Sequence, residues 1–241
     1  MQSADPAAED FLARLVRAAR GTKTLLLFNY RPDYINAWLI PHLDEQIALS
    51  ALTPEQLLAL TEALLGTHAS LAGVAALITQ RANGNPYYTE EAVNALAEDG
   101  FLEGERGAYV LKKPIGEWRI PDTVHALIAA RIDRLPDEHK SLLQSAAVIG
   151  QDFRPELLSQ LVQLQTDPFE DSLAVLEETG FVHQKPESRD RHYQFCHPLV
   201  QEVAYQAQLE ARRAAAHARL AMMLEQQFPA TKARQAPGRT G

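Results

Sequence analysis

In the middle of the chain, apolar residues recur at helical spacing and are interrupted by one group of turn residues. Residues 71–78 and 92–96 are largely apolar, with the spacing of three or four that is typical of one helix face. Between them stands Gly84-Asn85-Pro86. Gly84 suits a left-handed residue after a helix, Asn85 suits an N-cap, and Pro86 suits the first helical position, where its missing N–H is harmless. The pattern predicts a helix end followed by a helix start, and its simplest interpretation is a helix–turn–helix corner.

The first fifty residues show a different pattern. Residues 7–20 alternate apolar residues and arginines as an amphipathic helix does, and Gly21 follows them. The continuous apolar run at residues 24–30 predicts a strand buried on both faces in a parallel α/β sheet, and a second short run covers residues 46–49. Because parallel sheets bind ligands at the carboxyl ends of their strands, Arg31 is a candidate anion-binding residue. The alternative is a surface arginine at a strand exit.

Residues 53–119 predict a helical region followed by an extended connector. Thr53 suits a cap, Pro54 opens a helix, and the periodicity predicts three helices before Gly100. Glycines and prolines then interrupt residues 100–120. We expect residues 108–111 and 118–120 to pair there as a small hairpin.

Residues 120–208 predict a winged-helix domain: after a first helix, three further helices precede a two-stranded wing. The predicted elements are a helix from residue 120 to 135, helices at 138–149, 154–164 and 168–179, a hairpin at 181–195 and a helix at 198–208. A further helix is expected at residues 209–227. The polar tail from Pro229 onward is expected to be disordered.

Charge narrows the classes of function. The chain has 241 residues, of which 46% are hydrophobic, so it can build an ordinary core. Its formal net charge of -8 argues against a nucleic-acid partner, because phosphate binding depends on lysine and arginine. The predicted recognition helix at residues 168–179 has four acidic residues and no basic one. A winged helix in this chain is therefore expected to do something other than bind DNA.

The cysteine count, the lack of long apolar runs and the lack of common catalytic motifs limit the cellular compartment and the kind of catalysis that we expect. Cys196 is the only cysteine, which suits a reducing cytosol. No apolar run has the length of a bilayer span, and the first residues lack a signal-peptide pattern, so we expect a cytoplasmic protein without a membrane partner. The sequence lacks the Gly-x-x-x-x-Gly-Lys-Ser/Thr phosphate loop, the Gly-x-Ser-x-Gly elbow and the His-Glu-x-x-His helix.

His192, Cys196 and His197 are close in sequence but do not suit a metal site. On a strand, His192 and Cys196 share one face while His197 points away or begins the next helix. We therefore expect no metal. His197 precedes Pro198 at a predicted helix start, where it is either a capping histidine or a histidine that contacts an anion.

Three short motifs occur in a suggestive order: Asn29-Tyr30-Arg31-Pro32, Gly84-Asn85-Pro86 and Cys196-His197-Pro198. With the winged-helix pattern, they make the chain resemble the signal-transduction ATPases with numerous domains (STAND class). The resemblance is to bacterial modules that accompany class III adenylate cyclase domains and tetratricopeptide repeats, and it extends from Asp5 to about Gln227.

The resemblance implies a mainly α fold with several parts. These are a remnant of a P-loop α/β sheet of one or two strands, a helical lid, a winged-helix domain and the first helix of a helical repeat, in residues 1–52, 53–119, 120–208 and 209–228, with a tail at 229–241. By the resemblance, Arg31 is the sensor arginine that reports on the γ-phosphate. Pro86, in a Gly-x-Pro motif with Gly84, packs against adenine, and His197 reaches the β-phosphate of ADP in a closed, inactive state.

The ligands implied are ATP and ADP, with Mg²⁺, in the complete module. The P-loop and the Mg²⁺-binding acid of the family would align upstream of Met1, so we expect a C-terminal part of such a module, with a P-loop segment before it and helical repeats after it. Without those groups, phosphoryl transfer lacks its main components, and we expect neither hydrolysis nor tight nucleotide binding by this chain alone.

The expected function is therefore the regulatory lid and winged-helix part of an ATP/ADP-dependent signalling switch. Two alternatives belong to other classes. A winged-helix transcription regulator requires a basic recognition helix and wing. A protein-interaction scaffold would use the winged-helix surface and the final helix to dock a partner.

Overall fold

A computed structural model of the chain describes residues 6–30, 39–162, 166–186 and 190–227, which are mainly helical. The chain divides into two compact units, Met1–Ser50 and Ala51–Gly241. The described helices are α1 Pro6–Ala19, α2 Pro54–Leu65, α3 Ala72–Ala82, α4 Pro86–Glu98, α5 Val124–Arg134, α6 Asp137–Ile149, α7 Pro155–Val162, α8 Thr166–Glu178, α9 Pro198–Gln206 and α10 Glu210–Gln227. The described strands are β1 Leu102–Glu103, β2 Val110–Leu111, β3 Asp152–Phe153, β4 Val182–Gln184 and β5 Tyr193–Phe195.

The described residues of the first unit contain the amphipathic helix but not the predicted sheet remnant. Residues 24–30 and 46–49 have no regular secondary structure. Leu25 and Leu27 are 89% and 90% exposed, and Ile47 and Leu49 are 74% and 92% exposed. A strand buried on both faces needs hydrogen-bonded neighbours and covering layers, and residues 6–30 and 39–50 contain no strand to supply them. The strand prediction is therefore corrected, and Arg31 lies outside the described residues.

In the second unit, helices α2, α3 and α4 form a first core. Thr53 starts α2 with a reciprocal cap: the Gln56 N–H donates to the Thr53 hydroxyl, and the Thr53 N–H donates to the Gln56 side chain. The buried residues of this core include Leu57, Leu65, Ile78, Tyr88, Ala92, Leu96 and Trp118. The predicted three helices are thus present, with the predicted cap and proline start for α2.

The connector after α4 pairs differently from the prediction. β2 is antiparallel to β1, with Leu102 opposite Leu111, rather than to residues 118–120. Trp118 is instead buried in the first core, and its indole N–H donates to the Asp99 carboxylate over 3.1 Å. The prediction is wrong because burial of a large indole with a hydrogen-bond partner outweighs local strand propensity.

A second core lies among α5 to α9 and a three-stranded antiparallel sheet of order β3-β5-β4. The predicted hairpin is present as β4 and β5, with Val182 opposite Phe195. β3 was not predicted: it has only two residues, too few to show a period of two, and it forms because Phe153 pairs opposite Tyr193. The helix bounds agree with the predicted ones within a few residues, as expected for capped ends.

Helix α10 packs against α6 and α7 through a small third cluster formed by Leu220, Val148 and Leu161. The tail predicted at residues 229–241 lies outside the described residues. None of the helices in the described ranges combines the length and the apolar character needed to cross a bilayer.

Candidate functional site

The corner between α3 and α4 has the predicted geometry. After α3, both Asn83 and Gly84 have left-handed backbone conformations, with φ of 45° and 82°. Asn85 is the N-cap of α4, and its side-chain oxygen accepts from the N–H groups of Tyr87 (3.0 Å) and Tyr88 (3.3 Å). Pro86 is the first helical residue and is exposed. The turn therefore fixes a helix start whose first ring faces solvent.

Gly84 is required at this corner for two reasons. Its positive φ disfavours any residue with a Cβ. A Cβ at this position would also lie 2.6 Å from the Ala51 side chain and 3.2 Å from the Leu52 carbonyl oxygen. The Leu52 N–H donates to the Gly84 carbonyl over 2.9 Å, which holds the segment before α2 against the corner.

His197 is the N-cap of α9. Its backbone is extended, and its Nδ1 accepts a 3.1 Å hydrogen bond from the Leu199 N–H. Since Nδ1 is the acceptor, the neutral ring carries its proton on Nε2. Partial burial lowers the pKa of His197, opposed by the nearby carboxylates of Glu91 and Glu90. The capping interpretation therefore holds, and the same geometry leaves Nε2–H as a donor.

The two helix starts are joined by an aromatic stack. The rings of Tyr87 and His197 have centroids 3.8 Å apart and an interplanar angle of 14°. Tyr87 directly follows Pro86 in α4, so this contact brings the Pro86 and His197 segments together across the sequence. Gly84 belongs to the same corner, and Arg31, the fourth predicted site residue, lies outside the described residues.

Next to this stack lies a buried ionic cluster centred on Arg131 of α5. The Arg131 side chain is 1% exposed, and it contacts Glu91 (6% exposed) and Glu98 (29% exposed) of α4. Burial would lower the pKa of Arg131, but the hydrogen bonds with Glu98 and the charge of Glu91 outweigh it and raise the pKa. The sequence analysis did not identify this cluster. Its only signal was one arginine between Leu127, Ile128 and Ile132 on the buried face of a helix.

The Tyr87 hydroxyl lies between the stack and the cluster. It is buried, and it has no hydrogen-bond partner among the described residues. Burial and the Glu91 carboxylate together raise the pKa of Tyr87, so the phenol is neutral at physiological pH. The hydroxyl of Thr89, also on α4, is likewise buried without a hydrogen-bond partner. The first turns of α4 thus contain polar groups whose hydrogen-bonding capacity is not used within the described residues.

Two cavities in the described residues lie away from this region. One of about 370 Å³ is lined by α7 and the residues just before β5, and one of about 490 Å³ by α6 and the start of α10. Neither is lined by Pro86 or His197. Of the residues that the sequence suggests for a metal, Cys196 contacts a different histidine, since its Sγ lies 3.5 Å from His183 Nδ1. In the part of the chain that the structure describes, no group of three or more His, Cys, Asp or Glu side chains could hold a metal ion.

The acidic face of α8 is partly paired with the β4–β5 hairpin. Glu170 accepts two hydrogen bonds of 2.8 Å from Arg191, the residue two positions before Tyr193 of β5. A basic group of the hairpin is therefore neutralised by the helix that would face DNA in a winged-helix protein. The pairing leaves Arg191 less available to a phosphate backbone, which the other acidic residues of α8 would repel.

Comparison with known proteins gives no family assignment, because no protein-family model matches the chain and no curated protein matches it in sequence.

Proposed function

We propose that this chain provides the lid and winged-helix sides of an ATP/ADP-dependent signalling switch of the STAND type. The observation that carries the proposal is the Tyr87–His197 stack, which brings together the Pro86 and His197 helix starts. The two positions belong to sequence motifs that are far apart in the chain.

The arrangement of elements in the second unit supports a winged-helix domain. Helix α6, strand β3, helices α7 and α8, and the hairpin β4–β5 follow in that order, and the strands form one antiparallel sheet. The three-helix region before it, α2 to α4, corresponds to the proposed lid. In the proposal, a P-loop segment and its Mg²⁺-binding acid complete the nucleotide site, and helical repeats follow α10.

The chemistry at the two helix starts suits a nucleoside diphosphate. Helix N-termini carry partial positive charge and attract phosphate groups. His197 offers a neutral Nε2–H donor because its Nδ1 is occupied by the Leu199 N–H. Pro86 offers an exposed, rigid apolar ring against which a base can pack. Arg31 is proposed as the cation that distinguishes ATP from ADP.

A nucleotide titration followed by amide NMR tests this proposal on the full chain. ADP, added without Mg²⁺ at millimolar concentration, should shift the amide resonances of Asn85, Tyr87, Tyr88, His197 and Leu199, with weak affinity because the phosphate loop is not in this sequence. His197→Ala should abolish the response at both segments. His125→Ala, which removes an exposed histidine of α5, is the matched control and should leave it unchanged.

The same titration has a clear negative result. If ADP shifts neither segment, or if His125→Ala and His197→Ala reduce the response equally, the proposed nucleotide-facing role of these helix starts is wrong. ATP turnover by the purified chain that Arg31→Ala removes would contradict the expectation that the chain is not catalytic alone.

A further inference from the structure

The guanidinium of Arg131 contacts two separate parts of the second unit. Toward α4, its Nε donates to both oxygens of Glu98 at 2.9 and 3.0 Å, and one terminal nitrogen donates to Glu91 at 2.5 Å. The other terminal nitrogen donates to Glu98 at 2.5 Å and also to the backbone carbonyl of Thr179 at 2.7 Å. One side chain thus binds two carboxylates and a main-chain oxygen.

The Thr179 contact lies at the end of α8. Gly180 follows with a left-handed φ of 73°, and the Phe181 N–H donates to the Leu176 carbonyl, so the helix stops there. The last carbonyls of a helix have no partner within the helix, and Arg131 supplies one for Thr179. The guanidinium carbon also lies 4.7 Å from the centre of the Phe181 ring, just before β4. Arg131 therefore fixes the turn between α8 and β4.

The Glu91 contact leads in the other direction to the aromatic stack. Glu91 lies one helical turn after Tyr87 on α4, so the two side chains share a face. The Tyr87 hydroxyl is buried near the Glu91 carboxylate, and its ring stacks on His197. A series of neighbouring side chains therefore runs from His197 through Tyr87, Glu91 and Arg131 to the end of α8.

We propose that Arg131 is a positioning residue that couples the Tyr87–His197 stack to the turn between α8 and β4. The planar fork of arginine is needed for this, because it holds Glu91, Glu98 and the Thr179 carbonyl at the same time. Lysine keeps the positive charge but lacks the fixed geometry. The significance of the coupling for a switch rests on the proposed function: a change at His197 would reach the wing through Arg131.

A double-mutant comparison by amide NMR, without nucleotide, tests the coupling. The Gly180 amide belongs to the same peptide group as the Thr179 carbonyl, so its resonance reports on the Arg131 contact. Tyr87→Leu should shift the Gly180 resonance in the wild-type background. The shift should be lost in an Arg131→Lys background. It should be retained in an Arg134→Lys background, since Arg134 lies on the same helix as Arg131 but pairs with Asp99. The Gly150 amide, which follows α6, should stay unchanged throughout.

Several outcomes would overturn the inference. One is a Tyr87→Leu variant that leaves the Gly180 resonance unshifted in the wild-type background. Another is a shift of equal size in the Arg131→Lys and Arg134→Lys backgrounds. If Arg131→Lys does not give a dispersed spectrum, Glu91→Gln replaces it, since it removes the ionic contact between Arg131 and the Tyr87 turn while leaving Glu98 in place. Equal Gly180 shifts in that background would then refute the coupling. Because ADP is absent from these samples, failure of the nucleotide titration would not affect this result.

Discussion

Two arginine–glutamate contacts in the second unit have similar chemistry and very different surroundings. Arg131 contacts Glu91 and Glu98 with a side chain that is 1% exposed. Arg191 makes two hydrogen bonds of 2.8 Å with Glu170, but these side chains are 44% and 41% exposed. Hydrogen-bond geometry alone would rank the two contacts as equals. Their different burial predicts that they differ in their contribution to the free energy of unfolding and in the salt dependence of that contribution.

The physical difference is the dielectric environment. An exposed ion pair gains little, because water screens the charges and two long side chains must be ordered. A buried pair loses much of its gain to desolvation, yet removing one partner leaves the other charge without solvent or counter-ion. The buried cluster therefore acts mainly to specify which groups meet. Its loss should be far more damaging than loss of the surface pair.

The first test of this difference is Arg131→Met. Methionine keeps much of the apolar volume but leaves two carboxylates and the Thr179 carbonyl without their partner. We expect a loss of about 3–5 kcal/mol in the free energy of unfolding, measured by urea denaturation.

Arg134→Met is the matched control for that measurement. Arg134 lies on the same helix as Arg131, but its ion pair with Asp99 is partly exposed to solvent. It should reduce the free energy of unfolding by about 1 kcal/mol or less. Equal losses for the two variants would show that burial does not distinguish these contacts.

The sequence predicted those features whose causes are local. Asn85-Pro86 and His197-Pro198 both start helices because a capping side chain and a proline act within one turn. The mainly helical character and the β4–β5 hairpin follow from periodicity in the same way. Residues 24–30 have the composition of a buried strand, but a strand also needs neighbours, and composition does not supply them.

The remaining features depend on contacts between distant segments. Nothing near Arg131 in sequence indicates that its partners are on α4, and one buried arginine on an apolar face does not reveal its counter-ions. The Tyr87–His197 stack likewise joins two segments, and neither segment's motif indicates that the other is its partner. Strand propensity alone places Trp118 in a hairpin, because propensity takes no account of the burial of its side chain in the first core.

The second test is Glu91→Gln, which keeps the shape but removes a charge from the buried cluster. Loss of a hydrogen bond between charged groups should reduce the free energy of unfolding by about 1.5–3 kcal/mol. It should also lower the pKa of His197, because the Glu91 carboxylate opposes the lowering caused by burial. His197 Nδ1 would then accept from the Leu199 N–H down to a lower pH, as followed by NMR titration of the ring.

Glu90→Gln provides the comparison for that titration. Glu90 also raises the pKa of His197, by less than Glu91 does, and its side chain is 44% exposed. We expect a smaller fall in the pKa of His197 and little change in stability. A larger effect from Glu90→Gln than from Glu91→Gln would place the electrostatic influence on His197 outside the buried cluster.

The third test is Arg191→Met, which removes the exposed member of the comparison. We expect a loss of about 0.2–1 kcal/mol in the free energy of unfolding, since both side chains are well exposed to solvent. The difference from wild type should shrink at high salt, whereas the Arg131→Met difference should not, because salt screens exposed charges and reaches buried ones poorly.

The pH dependence of this surface pair has a defined sign. The hydrogen bonds from Arg191 lower the pKa of Glu170 below its ordinary value. Its contribution to stability is therefore complete above the ordinary glutamate pKa and is lost as the pH falls through the lowered folded-state pKa. Urea denaturation of wild type and Arg191→Met across the acid range should give curves that converge at low pH. A gap that persists there would mean that Arg191 stabilises the β4–β5 hairpin through packing on Tyr193, whose ring lies 5.8 Å from its guanidinium carbon, rather than through charge.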